Sequence, residues 1–266
     1  MTDRYAVVGN PVAHSKSPWI HAQFARQTGQ AIEYGAILAP IDGFSRAVAE
    51  FRAAGGRGAN VTLPFKQDAF RFAARSSERA RAAQAVNTLV LDADVPYGDN
   101  TDGAGLIGDL QRNLGYDLAG KRVLLMGAGG AAQGVVAPLL EARPSRLAIA
   151  NRTARKALEL AGRFPPATGG SYAELAGEQF DLVINATSAG LSDELPSLPR
   201  AIFAKGALAY DMVYGRDTPF LRVAREAGAA ASDGLGMLVE QAAESFFVWR
   251  GVRPETAPVL AALRGA

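Results

Sequence analysis

The chain has 266 residues, 48% of them hydrophobic and 20% charged, which is enough for one large or two medium soluble domains. A net charge of +2 without a long lysine or arginine run gives no basis for a nucleic-acid partner, despite a pI near 9.0. The absence of cysteine excludes disulfides, thiol catalysis and cysteine metal sites, and the two histidines, His14 and His21, are too few for a histidine-rich metal site. No metal is therefore expected. The N-terminus lacks a basic region followed by a long apolar core, and no stretch approaches the roughly 18 apolar residues of a membrane span. The expected compartment is the cytoplasm, with no membrane partner.

Tyr5-Ala6-Val7-Val8 reads as a short buried strand opening into Gly9-Asn10-Pro11. A polar loop follows, Ala13-His14-Ser15-Lys16-Ser17-Pro18. Ser17 before Pro18 suits an N-cap with proline at the first helical position; Ser15 and Ser17 equally offer hydroxyls to a polyol or acid. A helix through Ile20 and Phe24 ends near Gly29. Glu33 to Leu38 reads as strand and Phe44 to Ala53 as helix. In Gly58-Ala59-Asn60-Val61-Thr62-Leu63-Pro64-Phe65-Lys66, Asn60 and Thr62 are two apart and so share one face of an extended strand. Pro64 forbids regular continuation, and Lys66 follows on the next turn. A lone lysine is ordinarily a surface charge, but two polar neighbours on one face favour a site.

Ala85-Val86-Asn87-Thr88-Leu89-Val90 reads as strand, and its Asn87 is either a satisfied buried amide or a ligand contact. Asp102, after Asn100-Thr101, opens a helix through Leu114, where either Thr101 or Asp102 can act as a cap. Lys121 to Met126 reads as strand, Gln133 to Leu140 as helix and Leu147 to Ala150 as strand, one βαβ unit. Gly127, Gly129 and Ala132 fit G-x-G-x-x-G/A at its first turn. Such a turn brings backbone N–H groups to a pyrophosphate. The second strand ends in Asn151-Arg152-Thr153, followed by Arg155 and Lys156, with no carboxylate for a ribose hydroxyl. Arg152 can fork onto a 2′-phosphate, so NADP is expected over NAD. Phe180 to Asn185 reads as the fourth strand, running into Ala186-Thr187-Ser188-Ala189-Gly190 across from the glycine turn. Ala207 to Asp211 reads as strand, Thr218 to Ala227 as helix and Ala229 to Ala231 as a short last strand. Leu238 to Trp249 reads as helix, and Pro254 as the start of a final helix to Leu263.

Five stretches together resemble the shikimate dehydrogenase family: Gly9-Asn10-Pro11 with His14-Ser15-Lys16-Ser17-Pro18; Gly58 to Lys66; Ala85 to Thr88; Gly98 to Gly103; and Asp233-Gly234-Leu235-Gly236-Met237-Leu238-Val239 with Gln241. The glycine turn, Asn151-Arg152-Thr153 and Asn185-Ala186-Thr187-Ser188 fit as well, so the likeness spans nearly the whole chain. It implies a two-domain α/β fold. Residues 1–101 plus 237–266 would form a substrate-binding, catalytic domain, and residues 102–236 a Rossmann-type doubly wound domain for NADP, with the substrate in the cleft between. By resemblance, Ser15, Ser17, Asn60, Thr62, Asn87, Tyr214 and Gln241 hold shikimate, and Lys66 and Asp102 are the catalytic pair. Gly127, Ala128, Gly129, Gly130, Ala131, Asn151, Arg152, Thr153, Lys156, Met212 and Gly234 are the cofactor residues. The family's second cation of the adenine-phosphate turn has two claimants here, Arg155 and Lys156. The implied activity is NADP-dependent, reversible reduction of 3-dehydroshikimate to shikimate. The alternatives are a quinate/shikimate enzyme of broader specificity and a non-catalytic NADP sensor. His14 is read as loop architecture rather than a proton carrier. The only expected partners are small molecules, in a monomer or homodimer.

Overall fold

The computed structural model describes residues 2–187 and 198–265. Two compact units emerge: one runs to Gly105 and resumes at Leu238, and the other is Leu106–Met237.

The first unit holds a mixed six-stranded sheet of β1 (Asp3–Gly9), β2 (Ile32–Leu38), β3 (Gly56–Val61), β4 (Arg75–Ser76), β5 (Thr88–Val90) and β6 (Tyr97–Asp99), in the order β2-β1-β3-β5-β6-β4. β1 lies parallel to both β2 and β3, while β5 is antiparallel to β3 and β6. Helix Ser17–Thr28 forms the crossover between the parallel neighbours β1 and β2, and helix Phe44–Ala53 carries the chain from β2 past β1 to β3. Gly9 ends β1 because a side chain there would collide with the Thr62 methyl, 2.4 Å from an added Cβ.

The second unit is a six-stranded, wholly parallel sheet of β7 (Arg122–Met126), β8 (Arg146–Ala150), β9 (Thr168–Gly170), β10 (Phe180–Asn185), β11 (Phe203–Asp211) and β12 (Ala230–Ser232). Its order, β12-β11-β10-β7-β8-β9, is the doubly wound arrangement with a switch point between β7 and β10. Both faces are buried, and the period-2 pattern shows it. Val123, Leu125, Leu147 and Ile149 enter one core, while Leu124, Met126, Ala148 and Ala150 enter the other.

Several sequence expectations are revised. The helix read over Gln133 to Leu140 is broken into Gly130–Gln133 and Val136–Glu141. Pro138 has no N–H for the Gly134 carbonyl and its ring crowds that oxygen, so the turn opens there. The helix from Asp102 is α-helical only to Gly108. It then widens into a π-helical turn, Asp109–Asn113, closed by Leu114 N–H on Asp109 O at 3.0 Å. The buried Asp109 carboxylate accepts from Tyr210 Oη at 2.6 Å and Asn113 Nδ2 at 2.9 Å. The first helix starts at Ser17 itself, with Lys16 at the N-cap and no side-chain capping bond. The helix placed at Leu238 to Trp249 spans Leu235–Arg250, and the final one is Ala257–Arg264 rather than starting at Pro254. The end of the turn after β10, Ser188 to Gly190, lies outside the described residues. Among those residues no helix is long and apolar enough to cross a membrane.

His21 is the odd member of the first unit's interior. It is fully buried, stacks on Tyr34 (centroids 4.2 Å, 5°) and meets Phe24, Phe246 and Trp249. Neither ring nitrogen has a hydrogen-bond partner. Burial pulls its pKa from 6.5 to about 3; the adjacent Asn60 side chain, not aligned for a hydrogen bond, acts the other way. The folded ring therefore stays neutral, whereas the unfolded chain takes a proton below pH 6.5. Stability from this group is complete above pH 6.5 and drains away as pH falls toward 3, by about 1.4 kcal/mol per pH unit. His21→Phe is expected to remove that component: urea titrations at pH 7 and pH 5 should show a smaller loss in the variant than in the parent.

Candidate functional site

The polar cluster of the first unit grows from chain segments that end strands or begin helices. β3 carries Asn60, whose side chain is buried because both strand faces are covered. Past β3 the chain turns, with Phe65 N–H on Thr62 O at 3.0 Å, and Lys66 becomes the first residue of helix Lys66–Phe72. Asp102 likewise opens helix Asp102–Gly108, its N–H bonded to Asn100 Oδ1 at 3.1 Å. These two starts face each other. Lys66 Nζ stands 2.6 Å from Asp102 Oδ2, with side-chain exposures of 16% and 5%.

Asn87 supports the second oxygen. Its Nδ2 lies 2.9 Å from Asp102 Oδ1, 2.9 Å from Thr101 Oγ1 and 3.2 Å from Gln241 Oε1. Its Oδ1 accepts from Thr101 N–H at 2.8 Å and from Thr88 Oγ1 at 2.9 Å. The two readings open for this residue meet here: the buried amide is satisfied, and what satisfies it is the candidate machinery. Asn60 is held in the same way. Tyr34 Oη donates to its Oδ1 at 2.7 Å, and its Nδ2 reaches Ser245 Oγ at 2.9 Å, Thr88 Oγ1 at 3.2 Å and Asn87 O at 3.2 Å. Gln241 Nε2 donates to Leu238 O at 3.0 Å.

Ser15 and Ser17 lie together at the first helix start, Ser15 Oγ accepting the Ser17 N–H at 3.2 Å. Because Ser17 makes no capping bond, its hydroxyl is not spent on the helix; it faces the Tyr34 phenol. Burial raises that phenol's pKa well above 10, and the Ser17 contact opposes the rise. Thr62 is half-buried beside Gly9. Tyr214 belongs to the second unit, in the turn after β11. Tyr34, Thr88 and Ser245 were not singled out by sequence. Ser245 had a signal, since it stands one helical turn after Gln241. The lone tyrosine of an edge strand and the threonine beside Asn87 had none.

In the second unit the glycine turn joins β7 to helix Gly130–Gln133. Gly127 has φ +105°, and an added Cβ would lie 3.1 Å from Ala186 O, so the turn itself demands glycine. Gly129 differs. Its backbone is extended at the N-cap, and an added Cβ would meet nothing within 4 Å. Packing does not require glycine there, and the backbone is open to an approaching group. Ala128, Gly130 and Ala131 are only partly covered, and Ala132 is fully buried, packed against the strands. At the end of β8, Asn151 Nδ2 donates to Thr153 O at 3.1 Å, and Thr153 holds the next helix's N-cap without a side-chain bond. Arg152 is exposed and, among the described residues, neither it nor Lys156 forms an ion pair. Arg155 does, with Glu159 at 3.2 Å. Met212 and Gly234 are in contact, since an added Cβ on Gly234 would lie 2.4 Å from Met212 O. Asn185 ties this end of the sheet together, accepting from Thr187 Oγ1 at 2.7 Å and donating to Asp211 at 3.2 Å. Burial raises the Asp211 pKa, against hydrogen bonds from Thr218, Val213 N–H and Asn185. The unpaired cations and the open Gly129 backbone fit a dinucleotide bearing an extra phosphate. No group of three or more metal-ligating side chains occurs among the described residues.

Three family models match. Residues 7–89 match the shikimate dehydrogenase substrate binding domain, residues 109–192 shikimate / quinate 5-dehydrogenase, and residues 234–264 the shikimate 5'-dehydrogenase C-terminal domain. The chain is 63% identical over 269 residues to the shikimate dehydrogenase (NADP(+)) of Dechloromonas aromatica, covering 99% of this chain and 98% of that protein. Among solved structures it is similar to an Ael1 enzyme from Pseudomonas putida (49% identity, TM-score 0.92, 98% of both chains). It is also similar to the Thermus thermophilus shikimate 5-dehydrogenase solved with NADP(H) and shikimate (35% identity, TM-score 0.89, 99% of both chains).

The Lys66–Asp102 pair is largely shielded from water, so removing one partner strands the other. Lys66→Ala and Asp102→Ala are each expected to lower stability by about 2–4 kcal/mol, and the double replacement by clearly less than their sum. Strictly additive losses in denaturant titrations would mean that the two charges are not coupled.

Proposed function

The chain belongs to the shikimate dehydrogenase family, and from that premise we propose how its own residues reduce 3-dehydroshikimate to shikimate with NADPH, and reverse the reaction. The substrate is assigned to residues of the first unit together with Tyr214, and the cofactor to the second unit. The observation that carries the reading is the 2.6 Å Lys66–Asp102 contact, set among Asn60, Asn87 and Gln241.

Reduction of a ketone needs a hydride at carbon and a proton at oxygen. NADPH supplies the hydride when bound. The protein must supply the proton and hold the ring. Lys66 is assigned as the acid that gives its Nζ proton to the carbonyl oxygen, and as the base that recovers it from the hydroxyl in the reverse direction. Asp102 orients and stabilises the ammonium through Oδ2, while Asn87 keeps the carboxylate from rotating through its bond to Oδ1. Ser15, Ser17, Asn60, Thr62, Asn87, Tyr214 and Gln241 are assigned to the substrate's carboxylate and hydroxyls. Hydroxyl and amide groups suit such a ligand, and groups that bond its hydroxyls select against analogues lacking them. On the second unit, the N–H groups from Gly127 to Ala131 are assigned to the pyrophosphate. Asn151, Arg152, Thr153 and Lys156 are assigned to the adenosine 2′-phosphate, and Met212 and Gly234 to the nicotinamide end.

Lys66→Ala is expected to lower turnover by ~10²–10⁴-fold, the usual size of an acid/base contribution, with a much smaller change in shikimate binding. Steady-state rates followed at the reduced-nicotinamide absorbance decide this; near-parental turnover would reject the role given to Lys66. Arg152→Ala is expected to raise the KM for NADP by about 10–100-fold, the worth of one or two charge-assisted bonds, and to leave the KM for NAD unchanged. A parallel loss with both cofactors would place Arg152 elsewhere than at the 2′-phosphate.

A further inference from the structure

The fold keeps a buried histidine that packing alone would not choose. Both nitrogens of His21 are shut away from water without a partner. Each such atom costs roughly 1–3 kcal/mol, and a phenylalanine would fill the same aromatic nest without that loss. The ring is neither exposed nor part of the Lys66–Asp102 pair. What it touches is Tyr34, face to face at 4.2 Å and 5°. Tyr34 in turn reaches the substrate side: its hydroxyl donates to Asn60 Oδ1 at 2.7 Å. Asn60 cannot drift the other way, because its Nδ2 is held by Ser245 and Thr88.

We propose that Tyr34 and His21 are positioning residues for the substrate-holding groups, Tyr34 by fixing the Asn60 amide through its own hydroxyl, and His21 by seating the Tyr34 ring with that hydroxyl toward Asn60. The proposal rests on the assignment of Asn60 to the substrate. It explains why the tyrosine of an edge strand points its hydroxyl inward, and why an imidazole lies beneath it in place of a hydrocarbon ring. Trp249 helps confine the pair, 5.4 Å from His21 and 6.3 Å from Tyr34, with its Nε1 anchored on Leu89 O at 3.0 Å. No proton transfer is assigned to either residue.

The experiment compares Tyr34→Phe, His21→Phe and Asn60→Ala with the parent in steady-state kinetics and thermal melts. Tyr34→Phe is expected to raise the KM for shikimate about 3–10-fold, the worth of one neutral hydrogen bond. Its kcat should stay within about twofold, and its KM for NADP should not move. His21→Phe is expected to melt no lower than the parent and still raise the shikimate KM by about threefold or more. A mere packing role would instead leave KM unchanged, or alter kcat, both KM values and melting together. If Tyr34→Phe leaves the shikimate KM unchanged while Asn60→Ala raises it, the positioning idea fails and the substrate assignment stands. If Asn60→Ala also leaves it unchanged, both fall. A rise in Tyr34→Phe with none in His21→Phe removes His21 from the pair.

Discussion

A carboxylate that is 5% exposed must have both oxygens occupied, and much of the first unit follows from how Asp102 meets that demand. One oxygen takes Lys66, the other takes Asn87. Both charged residues are first residues of their helices, but with opposite electrostatic consequences. An anion at a helix start is favoured by the dipole, whereas a cation there is opposed by it. Lys66 is thus a cation in an unfavourable place, kept there by the carboxylate opposite. That arrangement makes the buried ammonium depend on one partner.

Behind the pair lies a layer made almost entirely of amides and hydroxyls. Asn87, Thr88, Thr101, Asn60, Ser245 and Gln241 bond to one another, and among the described residues the charged side chain bonded to this layer is Asp102. Neutral groups avoid the heavy desolvation that further buried charges would bring, yet still impose direction, because an amide has a donor end and an acceptor end. The second unit solves a different problem. Its parallel sheet is buried on both faces, so ligand chemistry is confined to strand ends, and those ends carry Gly127, Asn151, Asn185 and Asp211.

The parts of this molecule that were legible in sequence are those governed by short-range rules. Short continuous apolar runs located β7, β8 and β10, and the glycine spacing located the turn, because buried strands and tight turns are decided within a few residues. The absence of a carboxylate after Ala150 spoke for NADP for the same reason. What was not legible depends on partners far along the chain. Ser17 looked like a cap, but its helix begins one residue earlier than expected. The break at Gly134 follows from Pro138, which acts on the carbonyl four residues before it. The π-helical turn at Asp109 accompanies a bond to Tyr210, about a hundred residues away. His21 and Tyr34 gave no sign of each other, since their stacking is set by how the first helix settles on β2. The pairing of Lys66 with Asp102 came from family resemblance; no spacing argument could have brought them within 2.6 Å.

The first unit is interrupted in sequence. Its opening stretch, up to Gly105, contains Asn60, Asn87, Thr88 and Thr101, while Gln241, Ser245 and Trp249 arrive only after the whole second unit has been made. A nascent chain that has not reached residue 245 therefore has amides and hydroxyls whose native acceptors do not yet exist. Ribosomal synthesis must complete the second unit before this buried network can close, so completion of the first unit is ordered by translation itself.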